Sequence, residues 1–301
     1  VIVKRYAAID IGSNAVRLLI NTIIETENQP PQFKKTSLVR VPIRLGEDVF
    51  VEGNISMENA KRMKETLKAF TLLMQAHKVD KYKACATSAM REASNNKLIT
   101  SEIEQETGIE VDIIEGEEEA AIIAKTDLRN LIHSERTYLY VDVGGGSTEF
   151  TLFSHGKTIT SKSFPLGTVR ILNNMIQSKV WKEAEAWVEK KTSKYKTVRM
   201  IGSGGNINHI FKQSERKRGK PLTFTFLNSY FQKLKELSYE ERVIDLEMNL
   251  DRADVIIPAA EIFISAMQWS GARKIYVPKI GLADGIIKSM YNDQIDKKDF
   301  E

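Results

Sequence analysis

The sequence predicts an α/β protein built as two similar lobes around a central cleft. Three observations carry this. Strand and helix patterns alternate along all 301 residues, and that length suits two domains of roughly 150 residues each. One motif also occurs twice, as AIDIGSNAVRLLI at Ala8–Ile20 and as VDVGGGSTEFTLF at Val141–Phe153. Both copies run from an apolar strand through Asp, an apolar residue and Gly into a small polar turn and a second apolar strand. The lobes are expected at 1–132 and 133–301, with the last helix able to pack back on the first lobe.

In chain order, Tyr6–Ile11 and Ala15–Ile24 read as strands around a tight turn, and Lys34–Leu45 as a third strand with Pro42 near its end. Ser56–His77 is an amphipathic helix, since Met63, Leu67, Phe70 and Met74 recur at helical spacing. Tyr82–Ala86 is a strand, and Leu98–Thr107 a helix stopped by Gly108. Glu110–Ile114 is a strand and Glu117–Leu131 a helix leading to the second lobe. There the pattern restarts, with strands at Thr137–Val143, Ser147–Ser154 and Lys157–Phe164. Helices follow at Leu166–Ile176 and Lys182–Lys191, then a strand at Val198–Ile201 and a helix from Ile207. Tyr230–Leu237, Tyr239–Asp245 and Ala253–Trp269 are helical, Lys274–Val277 is a strand, and Leu282–Tyr291 closes the chain as a helix.

Composition excludes several classes. The apolar fraction of 42% suits a chain with ample core. The richest apolar run, Val255–Trp269, contains Pro258 and Glu261, so it reads as a core helix and not a membrane span. The N-terminus reaches Asp10 too soon for a signal peptide, which gives an expectation of a cytoplasmic protein without membrane contact. Cys85 is the single cysteine, so no intrachain disulfide forms and a reducing compartment fits. It reads as a small core residue. His77, His133, His155 and His209 lie far apart, without zinc spacing. A net charge of +4 is too small to argue nucleic-acid binding, and a nucleic-acid partner is not expected. The basic runs Lys190–Lys196 and Ser214–Pro221 read first as solvated faces, with a polyanion reader as the sharper alternative.

The glycines have a chemical reading. A turn that approaches a phosphate closely leaves no room for side chains at its tip. Gly144, Gly145 and Gly146 let backbone N–H groups converge on an anion, and Ser147 adds a hydroxyl. Gly12, Ser13 and Asn14 repeat the device in the first lobe. Asp10 and Asp142, at the strand ends, suit a hard cation such as Mg²⁺. Either loop alone reads as an ordinary hairpin. Two of them, each preceded by Asp at matching places, favour the phosphate reading. The glutamates of GEEE at Gly116–Glu119 read, taken alone, as first-turn charges favoured by the helix dipole.

These stretches resemble the superfamily of acetate and sugar kinases, heat-shock chaperone ATPases and actin. Within it they are similar to the exopolyphosphatase and guanosine pentaphosphate phosphohydrolase family. AAIDIGSNAVRLLI, ATSAMREASN, IEGEEEA, VDVGGGSTEF, FPLGTVRI, MIGSGGNINHI and RADVIIPAAEIF follow the family's order over nearly the whole chain. The resemblance implies two lobes of the actin-like ATPase and sugar kinase type. It implies Glu119 as the group that deprotonates the attacking water, and Asp142 and Glu149 as carboxylates around Mg²⁺ at the lytic site, with Asp10 lining the first phosphate site. Gly12, Ser13, Asn14, Arg17 and Arg91 would contact phosphates of the substrate, as would Gly144, Gly145, Gly146, Ser147 and Gly204.

The expected reaction is release of terminal orthophosphate from inorganic polyphosphate. Removal of the 5′ terminal phosphate of guanosine pentaphosphate is the enzymatic alternative, and a non-catalytic phosphate or nucleotide sensor the alternative from another class. A homodimer is compatible with the sequence. Two departures bear on substrate. Glu119-Ala120-Ala121 stands where the family usually has Glu-Ala-Arg, and Gly281-Leu282-Ala283-Asp284-Gly285 where it has Gly-Leu-Arg-Glu-Gly. With these changes, and without the C-terminal helical domain of long relatives, short and medium chains are expected to serve at least as well as very long ones.

Overall fold

The computed structural model describes residues 1–124 and 135–298. They fall into two compact units, Val1–Thr126 with Leu282–Glu301, and Asp127–Gly281. The expected boundary at 132/133 and the end of the helix expected to reach Leu131 lie outside the described residues.

In the first unit, β1 (Ile2–Ile11), β2 (Val16–Glu25) and β3 (Gln32–Val41) form an antiparallel meander. Strand β4 (Lys81–Ala86) adds parallel to β1, and β5 (Val111–Ile113) parallel to β4, giving the order β3-β2-β1-β4-β5. Tyr6 to Ile11 of β1 are all buried, as expected of a central strand covered on both faces. Around the sheet stand α1 (Leu45–Glu52), α2 (Met57–Ala76), α3 (Ser88–Glu92), α4 (Asn96–Thr107) and α5 (Gly116–Ala124). The Ser56 hydroxyl caps α2 by accepting from the Asn59 N–H at 3.2 Å. The last helix, α13 (Leu282–Lys298), packs on β1, β2, β4 and α5. It is held there by a Phe33–Tyr291 edge contact at 5.3 Å and a Lys35–Asp284 ion pair at 2.8 Å.

The second unit repeats the plan. Strands β6 (Thr137–Val143), β7 (Thr148–Ser154) and β8 (Lys157–Phe164) are antiparallel, and β9 (Val198–Ser203) lies parallel to β6. Strand β11 (Lys274–Tyr276) adds parallel to β9, and β10 (Leu222–Thr223) closes the edge. Read from β8, the order 8-7-6-9-11 matches 3-2-1-4-5 of the first sheet. The helices are α6 (Thr168–Leu172), α7 (Ser178–Thr192), α8 (Gly205–Gln213), α9 (Phe224–Glu236), α10 (Tyr239–Ile244), α11 (Leu250–Ala253) and α12 (Ile256–Ser270). Helix α12 is the core piece, its Ile256, Ile262, Phe263 and Met267 sharing one cluster with Leu139, Val141 and Phe150 of the sheet.

Some elements differ from the sequence expectation. The third strand stops at Val41, because Pro42 offers no N–H to a ladder. Residues 45–52 then form α1, with Glu47 and Asp48 in its first turn. The helix expected over Leu166–Ile176 shortens to α6, since Gly167 is extended and Asn174 has φ 55°. The expected helix Ala253–Trp269 begins instead at Ile256 as α12, with Pro258 in its first turn, where no N–H is needed, and Ala253 ends the separate short helix α11. Helices α1 and α3 and strand β10 were not signalled by periodicity.

One buried group of this unit carries a pH prediction. Burial, with the charges of Arg252 and Lys212 behind it, pushes the His209 imidazole in α8 down to about 4. The unfolded chain, with an ordinary value of about 6.5, therefore takes up this proton first as pH falls. The stability contribution is complete above about 6.5 and is lost on the way down to about 4. The unfolding midpoint is expected to drop between about pH 7 and pH 5, and the drop to shrink in His209→Gln. Equal drops in the two proteins would contradict the assignment.

Candidate functional site

At the carboxyl end of β6 the chain turns through Gly144, Gly145 and Gly146 into β7, closed by Gly144 N–H donating to the Ser147 carbonyl at 2.9 Å. Three successive carbonyls of this turn are held from one side. Gly144 accepts from the Thr168 N–H at 3.0 Å and Gly145 from the Val169 N–H at 2.9 Å, both at the start of α6. Gly146 accepts from Arg170 Nε at 2.7 Å. No peptide bond here is cis, and in a trans peptide the N–H points opposite to the C=O. The N–H groups of Gly145, Gly146 and Ser147 therefore all face away from α6. Three consecutive N–H groups aimed to one side form an anion-binding concavity.

The turn and α6 meet without side chains between them. A Cβ on Gly167 would lie 2.5 Å from the Gly145 carbonyl carbon, so only glycine permits the approach. Gly204, with φ 112°, follows the same logic, since its Cβ would stand 2.9 Å from the Val143 carbonyl oxygen. It brings β9 into α8 beside the end of β6. In open α/β sheets ligands bind outside the carboxyl ends of the parallel strands, the edge on which this turn lies.

Asp142 and Glu149 are directly opposed in the β6–β7 register, which puts both side chains on one face of the sheet. Glu149 is 2% exposed, and its Oε1 accepts from Ser147 Oγ at 2.7 Å and Ser163 Oγ at 2.8 Å. Asp142 is half-buried and registers against Ser203 of β9.

The first unit repeats the turn with other chemistry. Gly12 N–H donates to the Ala15 carbonyl at 3.1 Å. The Ser13 carbonyl accepts from the Gly46 N–H at 2.8 Å and the Asn14 carbonyl from the Arg44 N–H at 3.1 Å, at the entry to α1. The Asn14 and Ala15 N–H groups thus face away from α1, as their counterparts face away from α6. The Ser13 hydroxyl lies buried, 3.2 Å from the Ser88 hydroxyl at the start of α3. Arg17 stands opposite Asp10, in the place Glu149 holds opposite Asp142, and the two form an ion pair at 3.0 Å.

This contrast tests the fit of a cation. Asp10 already has a positive partner in Arg17. Asp142 stands opposite Glu149, so two carboxylates share one face of the ladder. The oxygens of Asp142 and Glu149 fit Mg²⁺, which is usually held by one or two carboxylates together with substrate phosphates and water. Among the described residues no group of three His, Cys, Asp or Glu forms a protein-only cage. The geometry favours Asp142 and Glu149 over Asp10.

Helix α5 separates the glutamates of the GEEE stretch. Glu117 and Glu118 are exposed, whereas Glu119 is 9% exposed on the face that also buries Ile122 and Ile123. Gly285 of α13 sets this helix close, since a Cβ there would come 2.9 Å from the Ile122 carbonyl carbon. Arg91 donates from Nη1 to the Ile114 carbonyl at 2.7 Å, and its Nε lies 3.5 Å from Glu115. It braces the loop entering α5, a contact that the expected phosphate role does not include. Of the substituted positions, Ala121 is exposed, Ala283 is buried and Asp284 is paired with Lys35. Cys85 is buried, and burial pushes its thiol up to about 12, which suits a core residue and not a nucleophile.

Sequence reasoning missed Gly46, Gly167, Ser88, Ser163 and Arg170. A signal existed for the first two. Leu45-Gly46 and Leu166-Gly167 each follow a third strand, which extends the internal repeat beyond the hairpins.

The sequence model of the Ppx/GppA phosphatase family matches residues 25–294. The bifunctional 3-dehydroquinate synthase/phosphatase of Fusobacterium nucleatum is 34% identical over 179 residues, covering 56% of this chain and 27% of that protein. Exopolyphosphatase 1 of Mycobacterium tuberculosis is 29% identical over 167 residues, 56% of this chain and 47% of that one. The chain thus matches less than half the length of either curated relative. The crystal structure of the Aquifex aeolicus Ppx/GppA family member superposes with a TM-score of 0.77 at 26% identity, covering 97% of this chain and 99% of that one.

Proposed function

Because the chain belongs to the Ppx/GppA phosphatase family, we propose that it hydrolyses phosphoanhydrides, releasing terminal orthophosphate from inorganic polyphosphate. The observation that carries this reading is the alignment of the Gly145, Gly146 and Ser147 N–H groups, fixed by α6 and Arg170 through the carbonyls on the other side. Phosphoryl transfer needs positioning and charge stabilisation more than covalent help. Amides that are already oriented supply both without reorganising during the reaction.

The remaining roles are assigned by chemistry. Glu119 orients the attacking water and takes its proton. Asp142 and Glu149 would hold Mg²⁺, which, when bound, neutralises charge on the terminal phosphates. Ser147 and Ser163 keep the Glu149 carboxylate in one orientation. The Asn14 and Ala15 N–H groups offer a second phosphate contact.

The test is a phosphate-release panel over polyphosphates of several lengths, guanosine pentaphosphate and ATP, with and without Mg²⁺. The expected result is Mg²⁺-dependent release that is fastest from polyphosphate. Faster release from guanosine pentaphosphate would move the substrate assignment to the nucleotide. No release from any anhydride would overturn the reading.

A further inference from the structure

We propose that the second unit carries a separate anion site, at the end of its sheet remote from the glycine turn, that binds a phosphate-chain anion without cleaving it. The inference does not depend on the reaction proposed above. A cavity of about 670 Å³ opens where α7 and α12 end and β9 and β11 begin. That volume lies within the usual range of small-molecule sites, about 300–1,000 Å³. Strand β9 runs from this cavity at Val198 to Ser203 near the turn, roughly 17 Å at the rise of an extended strand. This exceeds a Debye length of about 8 Å at physiological salt, so the two sites act on different anions or on distant parts of one.

Four cations line the cavity, Lys196, Arg199, Arg273 and Lys274. Among the described residues none of the four is in an ion pair. The one carboxylate in the lining is Glu189. A structural role for the cations is to offset the ends of α7 and α12, each equivalent to about half a negative charge. Glu189 and both helix ends together offset about two of the four charges. An excess of about two positive charges remains in one concave space, where like charges repel and a multiply charged anion is attracted.

The donors suit phosphate. Arg199, half-buried at the start of β9, offers a planar fork that pairs with phosphate oxygens in two-point fashion. The lysines can add point charges along a chain of phosphates. The wall also presents Trp269, in edge contact with Trp181 at 6.0 Å, and Tyr195. A nucleotide would gain from stacking on these rings, whereas an inorganic chain would use the cations alone. The glycine turn has no counterpart here, and nothing in the lining resembles the Asp142–Glu149 pair, so the site binds and does not hydrolyse. It also gives a use to Lys196 of the basic run Lys190–Lys196.

The experiment is calorimetric titration of the whole chain, without Mg²⁺, with tripolyphosphate in one arm and GTP in the other. Two charge-reversal variants are compared with the parent, Arg199→Glu/Lys274→Glu and Lys196→Glu/Arg273→Glu. Both residues of the second pair are exposed, so folding does not depend on them. Two sites per chain are expected in the parent. One of them should weaken by at least about tenfold in both variants while the other is unchanged. Loss in the tripolyphosphate arm alone assigns the site to inorganic chains, and loss in the GTP arm alone to nucleotides. The same sites with the same affinities in the parent and both variants, in both arms, would overturn the proposal.

Discussion

Replacing Gly167 by alanine is expected to lower phosphate release by at least about a hundredfold, the scale on which small misplacements of a positioning group act. It should also destabilise the fold by roughly 1–3 kcal/mol, as overpacking does. Gly167 has φ −126° and ψ 157°, which alanine adopts freely, so no backbone strain complicates the result. The added methyl would instead meet the Gly145–Gly146 backbone, 2.5 Å from the Gly145 carbonyl carbon. A backbone carbonyl cannot rotate aside as a side chain would. Either α6 withdraws and releases the glycine carbonyls, or the turn itself shifts. In both cases the Gly145, Gly146 and Ser147 N–H groups lose their common direction. Initial rates and urea unfolding on the same preparation separate the two effects. A folded variant with parental turnover would show that the direction of these N–H groups is not needed.

Glu119→Gln is expected to lower turnover by roughly 10²–10⁴-fold, the usual contribution of a positioned base. The amide keeps the size of the side chain in its 9%-exposed position on α5, so packing with Ile122 and Ile123 survives. What it removes is the capacity to accept a proton. Polyphosphate affinity should change little, because the amides assigned to phosphate lie on the two turns. An equal loss of binding and turnover would make Glu119 a substrate contact, and near-parental turnover would remove it from the mechanism.

The duplicated hairpins were legible from sequence because a strand ending in Asp-x-Gly leaves a local pattern. So were the buried runs of β1 and β6 and the amphipathic stripe of α2, which follow from periodicity. Glu119 could be separated from Glu117 and Glu118 only through the family resemblance, since all three suit a first helical turn. The support behind the turns was not legible. Gly46 and Gly167 stand 34 and 23 positions after Gly12 and Gly144 and meet the turns through backbone approaches that no local pattern encodes. Arg17 shows the same limit. Its opposition to Asp10 is a register fact, visible once β1 and β2 are paired, and it changes Asp10 from an open carboxylate into one half of an ion pair. Arg91 was recognisable as a motif residue, yet its contact with the Ile114 carbonyl arises from the packing of α3 beside the entry to α5.

The central claim is that this chain delivers water to the terminal phosphorus of a phosphate chain. Hydrolysis of polyphosphate in ¹⁸O-water, with mass analysis of both products, tests it most directly. Attack of water there breaks the bridging P–O bond on the terminal phosphorus and places the water oxygen on the released phosphate. The account predicts one ¹⁸O in each orthophosphate and none in the shortened chain. Label in the shortened chain, or unlabelled orthophosphate, would contradict it.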